Sequence, residues 1–426
     1  MTAAMPDARD RALLTRLFDA AVRAADPARA MADVLPPRPR GRTVVVGAGK
    51  GAAEMARALE ALWDAPLSGV VVTRHGQAVP TARIRVLEAA HPLPDAAGLA
   101  AGAALLEAVR GLTPDDLLIA LVSGGGSALL PAPPPGLTLK DEIALTRALL
   151  ASGAPISAMN AIRKQVSGIK GGRLAAAAHP ARVVSLVVSD VPGDDPAEVA
   201  SGPTVPCARD RAAALAAADA WRIALPEPIR AYLAAAPEDA PHPADPAFAR
   251  DEVHVVASAR QSLEAAQATA EREGWRAVIL SDAIEGEARE AGRVLAAITR
   301  EIAARDRPFA RPVILLSGGE TTVTLGEAAG RGGRNTEFLL SLALALEGVE
   351  GVAALAADTD GIDGSELNAG AFADGTTGAR LRRLGADPAR LLARHDAWTA
   401  FDLLGDLFSP GPTGTNVNDF RAILLR

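Results

Sequence analysis

The 426-residue sequence is short of several features, and each shortage excludes a class of protein. A single cysteine, Cys207, excludes an internal disulfide and a metal site built from cysteines. No uncharged apolar run is long enough to span a bilayer, and the charged N-terminus lacks the apolar core of a signal peptide. A formal charge of −7 argues against a nucleic-acid-binding surface. We therefore expect a cytoplasmic protein with neither a nucleic-acid nor a membrane partner.

Lysine and asparagine are scarce as well, since only four of the 44 basic residues are lysines. A lysine retained in an arginine-rich chain indicates a place where a compact point charge is needed and a planar guanidinium is unsuitable. This reasoning favours a function for Lys50. For the other lysines and for the asparagines, coding bias is an equally good explanation. These residues are Lys140, Lys164, Lys170, Asn160, Asn335, Asn368, Asn416 and Asn418.

The stretch 117–130, LLIALVSGGGSALL, is the strongest local pattern in the chain. Its apolar first half predicts a strand that is buried on both faces of a parallel sheet. Three consecutive glycines then let backbone amides approach a ligand closely, and the start of the following helix favours an anion. We predict a phosphate-binding turn made of Ser123, Gly124, Gly125, Gly126 and Ser127.

The length and the alternation of strand and helix patterns predict two domains. A second strand followed by Ser-Gly-Gly recurs at 313–321, which indicates two similar halves. We expect an α/β protein with two Rossmann-like α/β/α domains, mainly parallel sheets and an active-site cleft between the domains. The proline- and acid-rich segment 237–252 is the best linker, so the expected domains are 1–240 and 241–426.

A glycine turn after the first predicted strand, at 47–51, resembles the start of a dinucleotide fold. Its spacing is G-x-G-x-G, however, and the next strand ends in Thr73 and Arg74 where a ribose-binding acid is expected. The Walker pattern is absent as well. Lys50, beside Gly49 in this turn, fits a phosphoryl group better than a nicotinamide.

Two further segments carry candidate groups in the N-terminal half. At helical spacing Asn160, Arg163 and Lys164 share one face, which is either a phosphate-facing surface or a solvated basic face. Asp190 follows the strand predicted at 182–189, and ligands of open α/β sheets bind beyond the carboxyl ends of strands. His91 is interpreted as a structural loop residue, with a substrate contact left open.

In the C-terminal half, Arg331, Arg334 and Asn335 belong to the glycine-rich segment 326–337, and the two guanidiniums predict a clamp for carboxylate or phosphate. Asp358 ends a predicted strand among several aspartates that repel one another unless a cation or hydrogen-bond donors lie among them. The segment is not an EF-hand, and Mg²⁺ carried by a nucleotide is the favoured cation. Asn418 lies at the edge of the last strand.

Taken together, seven motif groups resemble the class II glycerate 2-kinases, whose C-terminal half is the MOFRL domain. The resemblance runs from about residue 9 to residue 426 and is weakest at 205–251. The motifs are GAGKG, SGGGSALL, NAIRK with SGIKGGRLA, SDVPGDDP with ASGPT, LLSGGETTV with GRGGRNTEF, AADTDGIDG and GPTGTNVND.

The resemblance implies a cytosolic enzyme that moves the γ-phosphoryl group of ATP to the 2-hydroxyl of D-glycerate with Mg²⁺. Its best-supported catalytic residues are Lys50, Asp190 and Arg331. We further expect Glu320 and Asp358 to hold metal or nucleotide. Substrate and nucleotide contacts are expected from Gly49, Ser123, Gly124, Gly125, Gly126, Ser127, Asn160, Lys164, Arg334, Asn335 and Asn418.

Two other functions stay open at this point. Some members of the family have been labelled hydroxypyruvate reductases, and an NAD(P)H-dependent reductase would explain the first strand and glycine turn while leaving Lys50 without a role. A regulator that binds a nucleotide or sugar acid without catalysis would not need so many charged residues at strand ends. The sequence leaves monomer and homodimer equally open.

Overall fold

The computed structural model describes residues 7–235, 239–325 and 330–426. The chain divides into two compact units. The N-terminal unit is Pro27–Ala257, and the C-terminal unit is Ser258–Arg426 together with the segment that ends at Asp26.

The strands of the described residues alternate with helices through most of the chain. The strands are β1 (Thr43–Ala48), β2 (Ser68–Arg74), β3 (Ile84–Ala89), β4 (Leu117–Ser123), β5 (Arg182–Val188), β6 (Glu252–Ala257), β7 (Ala277–Ser281), β8 (Gly286–Glu287), β9 (Val313–Ser317), β10 (Thr321–Thr322), β11 (Val352–Asp358), β12 (Gly370–Asp374), β13 (Leu407–Phe408) and β14 (Asp419–Leu425). The helices are α1 (Ala8–Ala24), α2 (Pro27–Ala32), α3 (Ala52–Leu62), α4 (Ala96–Ala108), α5 (Gly126–Leu129), α6 (Leu139–Ala151), α7 (Ile156–Gln165), α8 (Arg173–Ala178), α9 (Arg211–Ala220), α10 (Glu227–Ala235), α11 (Ala259–Arg272), α12 (Ala288–Arg305), α13 (Arg334–Ala345), α14 (Thr377–Arg383), α15 (Pro388–Ala393) and α16 (Ala397–Leu404). Short 3₁₀ turns lie at Val199–Ser201 and Pro246–Phe248.

The N-terminal unit contains a parallel six-stranded sheet in the order β3-β2-β1-β4-β5-β6. Every residue of β1 and β4 is buried, as the apolar runs predicted. The order is that of dinucleotide-binding folds, and its direction reverses between β1 and β4. The carboxyl ends of these two neighbouring strands are therefore where a ligand is expected, and both predicted glycine turns lie there.

The units differ from the predicted boundary at residue 240. β6 follows residue 240 and was therefore expected in the second domain, but it pairs with β5 and closes the first sheet. The N-terminal helix α1 packs instead in the C-terminal unit, where Leu14 and Phe18 join one core with Leu263. A short strand pattern does not say which sheet the strand joins. Residues 237 and 238 of the predicted linker lie outside the described residues.

The C-terminal unit contains a second six-stranded sheet, in the order β13-β12-β11-β14-β9-β7. Only β7 and β9 pair in parallel, and the other pairs are antiparallel, so the expectation of two mainly parallel sheets is wrong here. A buried apolar run such as β11 has the same pattern in either orientation.

Helices cover both faces of this second sheet, as predicted. Along β9, Val313 and Leu315 pack with α12 and α13, whereas Ile314 and Leu316 pack with α1 and α11. This alternation follows from the two-residue period of a strand. In the described part of the chain, no helix is long and apolar enough to cross a membrane.

A buried ion pair fixes the segment that follows the 123–127 turn. Lys170 Nζ donates to Glu142 Oε1 at 2.8 Å and to the Leu130 carbonyl at 2.7 Å. Glu142 Oε2 in turn accepts from the Ala132 amide at 3.1 Å. The Lys170 side chain is 2 % exposed, so its charge depends on this carboxylate.

We expect Lys170→Met to lower the free energy of unfolding by about 3–5 kcal/mol, because the Glu142 carboxylate is left buried without its cation. Urea denaturation followed by circular dichroism measures this change. Lys140→Met, at an exposed site, is the matched control and should change stability by about 0.5 kcal/mol or less. Equal stability of the two variants would contradict this account of the pair.

Candidate active site

The backbone amides of the turn between β1 and α3 donate hydrogen bonds to other groups of the protein. Gly49 N–H donates to the Val72 carbonyl at 3.1 Å, and Lys50 N–H donates to the Gly124 carbonyl at 2.8 Å. Gly51 N–H donates to Ser123 Oγ at 3.0 Å. The amides that would hold a pyrophosphate in a dinucleotide fold are therefore already bonded. What this turn can offer a ligand is the partly exposed side chain of Lys50.

Glycines let the 123–127 turn approach the 47–51 turn closely. A Cβ atom on Gly49, which has φ 139°, would overlap Ser123. A Cβ atom on Gly125, which has φ 79°, would lie 3.1 Å from Lys50 Cγ and 3.2 Å from His91 Nε2. Lys50 and His91 therefore lie on the same side of the 123–127 turn, in contact range of its backbone.

Asp190 reaches the same turn from the neighbouring strand β5. A Cβ atom on Gly124 would overlap the Asp190 carboxylate, so the carboxylate is packed against the turn. The parallel pairing of β4 with β5 places Ser123 beside Val188, two residues before Asp190. The structure thus brings together the predicted Lys50, the 123–127 turn and Asp190 at one edge of the sheet.

Asn160 and Lys164 are placed differently from the predicted phosphate-facing surface. Lys164 Nζ donates to Glu198 Oε1 at 2.9 Å, and the lysine side chain is 2 % exposed. Asn160 Nδ2 donates to the Glu198 carbonyl and to Glu198 Oε2, each at 2.9 Å. Both side chains therefore fix α7 to the 195–201 segment. Helical spacing revealed their shared face but not the distant carboxylate that neutralises it.

Positive charge surrounds His91. Partial burial, together with the nearby charges of Lys50, Arg74 and Arg163, lowers the pKa of His91 to about 4. The imidazole is therefore neutral at pH 7 and surrounded by cations. Such a rim suits an anionic ligand. The sequence placed His91 in a loop but gave no signal of this electrostatic environment.

Arg334 is the centre of the C-terminal unit's predicted site. Its guanidinium donates from Nε to Asp419 Oδ1 at 2.6 Å, from Nη1 to Glu320 Oε1 at 2.7 Å and from Nη2 to Asp358 Oδ2 at 2.6 Å. Three carboxylates therefore occupy the guanidinium that was predicted to clamp the substrate. As the structure stands, Arg334 neutralises the protein's own acids.

The predicted metal ligands Glu320 and Asp358 thus bind a guanidinium. Burial raises the pKa of Asp358 well above its usual value, and the charges of Asp360 and Asp419 raise it further despite Arg334. Across the described residues, no group of three or more His, Cys, Asp or Glu side chains is arranged to hold a metal ion. These two residues do not fit a protein-built Mg²⁺ site in this arrangement.

Asp419 and Arg421 are functional candidates that the sequence reasoning missed. Asp419 is fully buried and accepts from Arg334, from Arg421 and from Asn335 Nδ2, the last at 2.8 Å. Burial alone would raise the pKa of Asp419, but the charges of Arg334 and Arg421 hold it below its usual value. The available signal was its position directly after Asn418.

The remaining predicted residues of this unit fall into two groups. Asn335 is fully buried beside Asp419 and orients its carboxylate, whereas the Asn418 carbonyl accepts from the Thr359 amide at 3.0 Å and holds the local backbone. Arg331 is different, because its side chain is 53 % exposed. Its guanidinium lies 3.5 Å from the ring centroid of Trp398 and pairs with Glu366 at 2.6 Å.

Comparison with known proteins places the chain in a family. Residues 13–234 match a domain of unknown function (DUF4147), and residues 313–419 match the MOFRL family. The D-glycerate 2-kinase of Thermotoga maritima is 39 % identical, covering 96 % of each chain. The chain belongs to the glycerate 2-kinase family.

Two further comparisons bear on this family member. A crystal structure of glycerate kinase from Thermotoga maritima superposes with a TM-score of 0.88 at 37 % identity, covering 99 % of this chain and 100 % of that one. A protein of Agrobacterium vitis named "Putative hydroxypyruvate reductase" is 54 % identical, over 98 % of this chain and 95 % of its own length. The family resemblance read from the motifs is confirmed, and both names known for the family occur among its relatives.

The contrast between Arg334 and Arg331 gives a stability test. We expect Arg334→Ala to cost about 3–5 kcal/mol in the free energy of unfolding, because the buried Asp358 loses its cation and Asp419 keeps only Arg421. Arg331→Ala is the matched control, and removal of an exposed pair should cost about 1 kcal/mol or less. Urea denaturation at pH 7 measures both. A small effect at Arg334 would mean that the three carboxylates do not depend on it.

Proposed function

We propose that the protein is an ATP-dependent kinase that transfers the γ-phosphoryl group of ATP to the 2-hydroxyl of D-glycerate, giving 2-phosphoglycerate and ADP. The observation that supports this best is the meeting of Lys50, the 123–127 turn and Asp190 at the carboxyl edge of the first sheet. The family supplies the substrate class, since the relatives that carry a kinase name act on glycerate.

Phosphoryl transfer asks a protein mainly for positioning and for compensation of charge on the equatorial oxygens. In this proposal the Lys50 ammonium contacts the transferred phosphoryl group, and the amides of the 123–127 turn contact phosphate oxygens. The 2-oxygen of glycerate attacks the γ-phosphorus while the bond to the β–γ bridging oxygen breaks. Asp190 orients the 2-hydroxyl and takes its proton.

The C-terminal unit contributes less than the sequence suggested. Arg331 stays the proposed contact for an anionic substrate group, because it is exposed and its guanidinium is oriented by Trp398 and Glu366. For Arg334, Asn335 and Asn418 the contacts support a positioning role. We further propose that Mg²⁺ arrives with ATP and is held mainly by phosphate oxygens, and that the enzyme works in the cytoplasm.

A hydroxypyruvate reductase is the second candidate, because a relative with 54 % identity carries that name and the first sheet has the dinucleotide-fold order. The glycine turn argues against it. The amides of Gly49, Lys50 and Gly51 are bonded internally. At the end of β2, where a ribose-binding acid is expected, the Thr73 hydroxyl donates to the Lys50 carbonyl at 3.1 Å.

The direct test incubates the protein with ATP, Mg²⁺ and D-glycerate and couples the product to enolase, which accepts 2-phosphoglycerate. A parallel reaction contains hydroxypyruvate and NADPH. We expect signal from the enolase reaction and none from NADPH oxidation. NADPH oxidation without kinase activity would refute the proposal. The glycine turn at 47–51 would then be assigned to dinucleotide binding.

In the same assay we expect Lys50→Ala to lower kcat by about 10²–10³-fold, since one preorganised charge on the phosphoryl group is lost. Lys140→Ala, at an exposed lysine, should keep wild-type kcat. Near wild-type kcat in Lys50→Ala would remove Lys50 from the reaction.

Asp190 can be tested without changing its own side chain. Gly124→Ala adds a methyl group where the Asp190 carboxylate lies, so we expect the carboxylate to shift and kcat to fall by about 10²-fold. Gly378→Ala is the control, because its added carbon would meet nothing closer than 3.5 Å. Equal kcat in the two variants would show that the contact of Asp190 with the turn is unimportant.

A further inference from the structure

Arg163 is a desolvated cation for which the structure gives no carboxylate partner. It lies in the last turn of α7, and its side chain is partly buried. Its Nη1 donates to Asn160 Oδ1 at 3.2 Å. Within the described residues no carboxylate oxygen lies in salt-bridge range of this guanidinium, and the Asn160 amide is a neutral acceptor.

Unlike Arg163, the two buried lysines nearby in the sequence each have a carboxylate partner. Lys164 pairs with Glu198 at 2.9 Å, and Lys170 pairs with Glu142 at 2.8 Å. Burial lowers the pKa of Arg163 to about 10, even though the charge of Glu142 acts to raise it. A guanidinium stays charged at neutral pH even so. A buried charge without a partner destabilises a fold, which is understandable where a ligand supplies the opposite charge.

Hydrogen bonds tie Arg163 to the glycine turn. Asn160 is held by Glu198, and its Oδ1 accepts from Ser201 Oγ at 2.9 Å as well as from Arg163. Ser201 Oγ lies 2.7 Å from Ser127 Oγ in the turn. A chain of four side chains therefore runs from the turn to the guanidinium. The orientation of Arg163 is set by the element that is proposed to bind phosphate.

The charge of Arg163 also acts on His91, the neighbour of Lys50. His91, which lies beside Lys50 at Gly125, is affected by the charges of both residues. The two cations differ in chemistry. An ammonium is a compact charge suited to a phosphoryl oxygen, whereas a planar guanidinium matches the two oxygens of a carboxylate.

We propose that Arg163 binds the carboxylate of the acceptor and so restricts the enzyme to hydroxy acids. This inference rests on the proposed kinase function, and it adds a residue that selects the acceptor. Its rival is that Arg163 contacts a nucleotide phosphate. The two differ in which substrate loses affinity when the guanidinium is removed.

The test compares Arg163→Met and Arg163→Lys with wild type. We expect Arg163→Met to raise KM for D-glycerate by about 10²-fold while KM for ATP changes little. Arg163→Lys should recover only part of the affinity, because an ammonium cannot bind both carboxylate oxygens. With glyceramide, which has a neutral amide in place of the carboxylate, the loss of affinity in Arg163→Met should be much smaller than with D-glycerate.

Arg74→Met is the matched control, since Arg74 is an exposed arginine whose charge also reaches His91. If a general positive potential were responsible, this variant would lose as much affinity for D-glycerate as Arg163→Met. Such a result, or a rise in KM for ATP in Arg163→Met, would overturn the inference.

Calorimetric titration of D-glycerate measures binding without turnover and separates the two hypotheses. Binding to wild type that is lost in Arg163→Met supports the inference even if no phosphate is transferred, in which case only the proposed kinase function fails. Equal binding to wild type and Arg163→Met overturns the inference even in an active kinase. Thermal unfolding should show Arg163→Met at least as stable as wild type, because an uncompensated charge has been removed.

Discussion

The close approach of neighbouring strand ends at two glycines is the constraint on which the candidate site depends. Gly49 leaves no room for a side chain against Ser123, and Gly124 leaves none against the Asp190 carboxylate. Because β1, β4 and β5 are adjacent and parallel, these contacts bring their carboxyl ends into one compact edge. Lys50, the 123–127 turn and Asp190 lie close together there because Gly49 and Gly124 place no side chain between the strand ends.

The close contact between the two glycine turns also changes how a dinucleotide-like fold can bind an anion. The amides of the first turn bond to β2 and to the second turn, so they are unavailable to a pyrophosphate. Binding of an anion must then come from side chains and from the second turn. A lysine in the glycine turn is the expected solution, since it restores the positive charge that the bonded amides no longer offer.

Much of this arrangement could be predicted from the sequence, because it depends on local patterns. Buried apolar runs, glycine turns and strand-end residues indicated β1, β4, Lys50 and Asp190 directly. What could not be predicted depends on distant partners. The acids that neutralise Lys164 and surround Arg334 lie 34 residues away for Glu198 and 85 for Asp419. The prediction of mainly parallel strands in the second sheet was wrong for a related reason. The apolar pattern of a buried strand is the same beside a parallel or an antiparallel neighbour.

The scarce lysines can now be interpreted from their surroundings. Lys164 and Lys170 each fill a buried position with one carboxylate partner, where a compact ammonium is satisfied and a wider guanidinium would need further acceptors. Lys50 lies in the narrow space between two glycine turns. Arg163 is the informative contrast: it is partly buried, it is an arginine, and it has a neutral acceptor in place of an acid. A planar group kept at such a position, at the cost of an unpaired charge, is best explained by a planar anion that binds there.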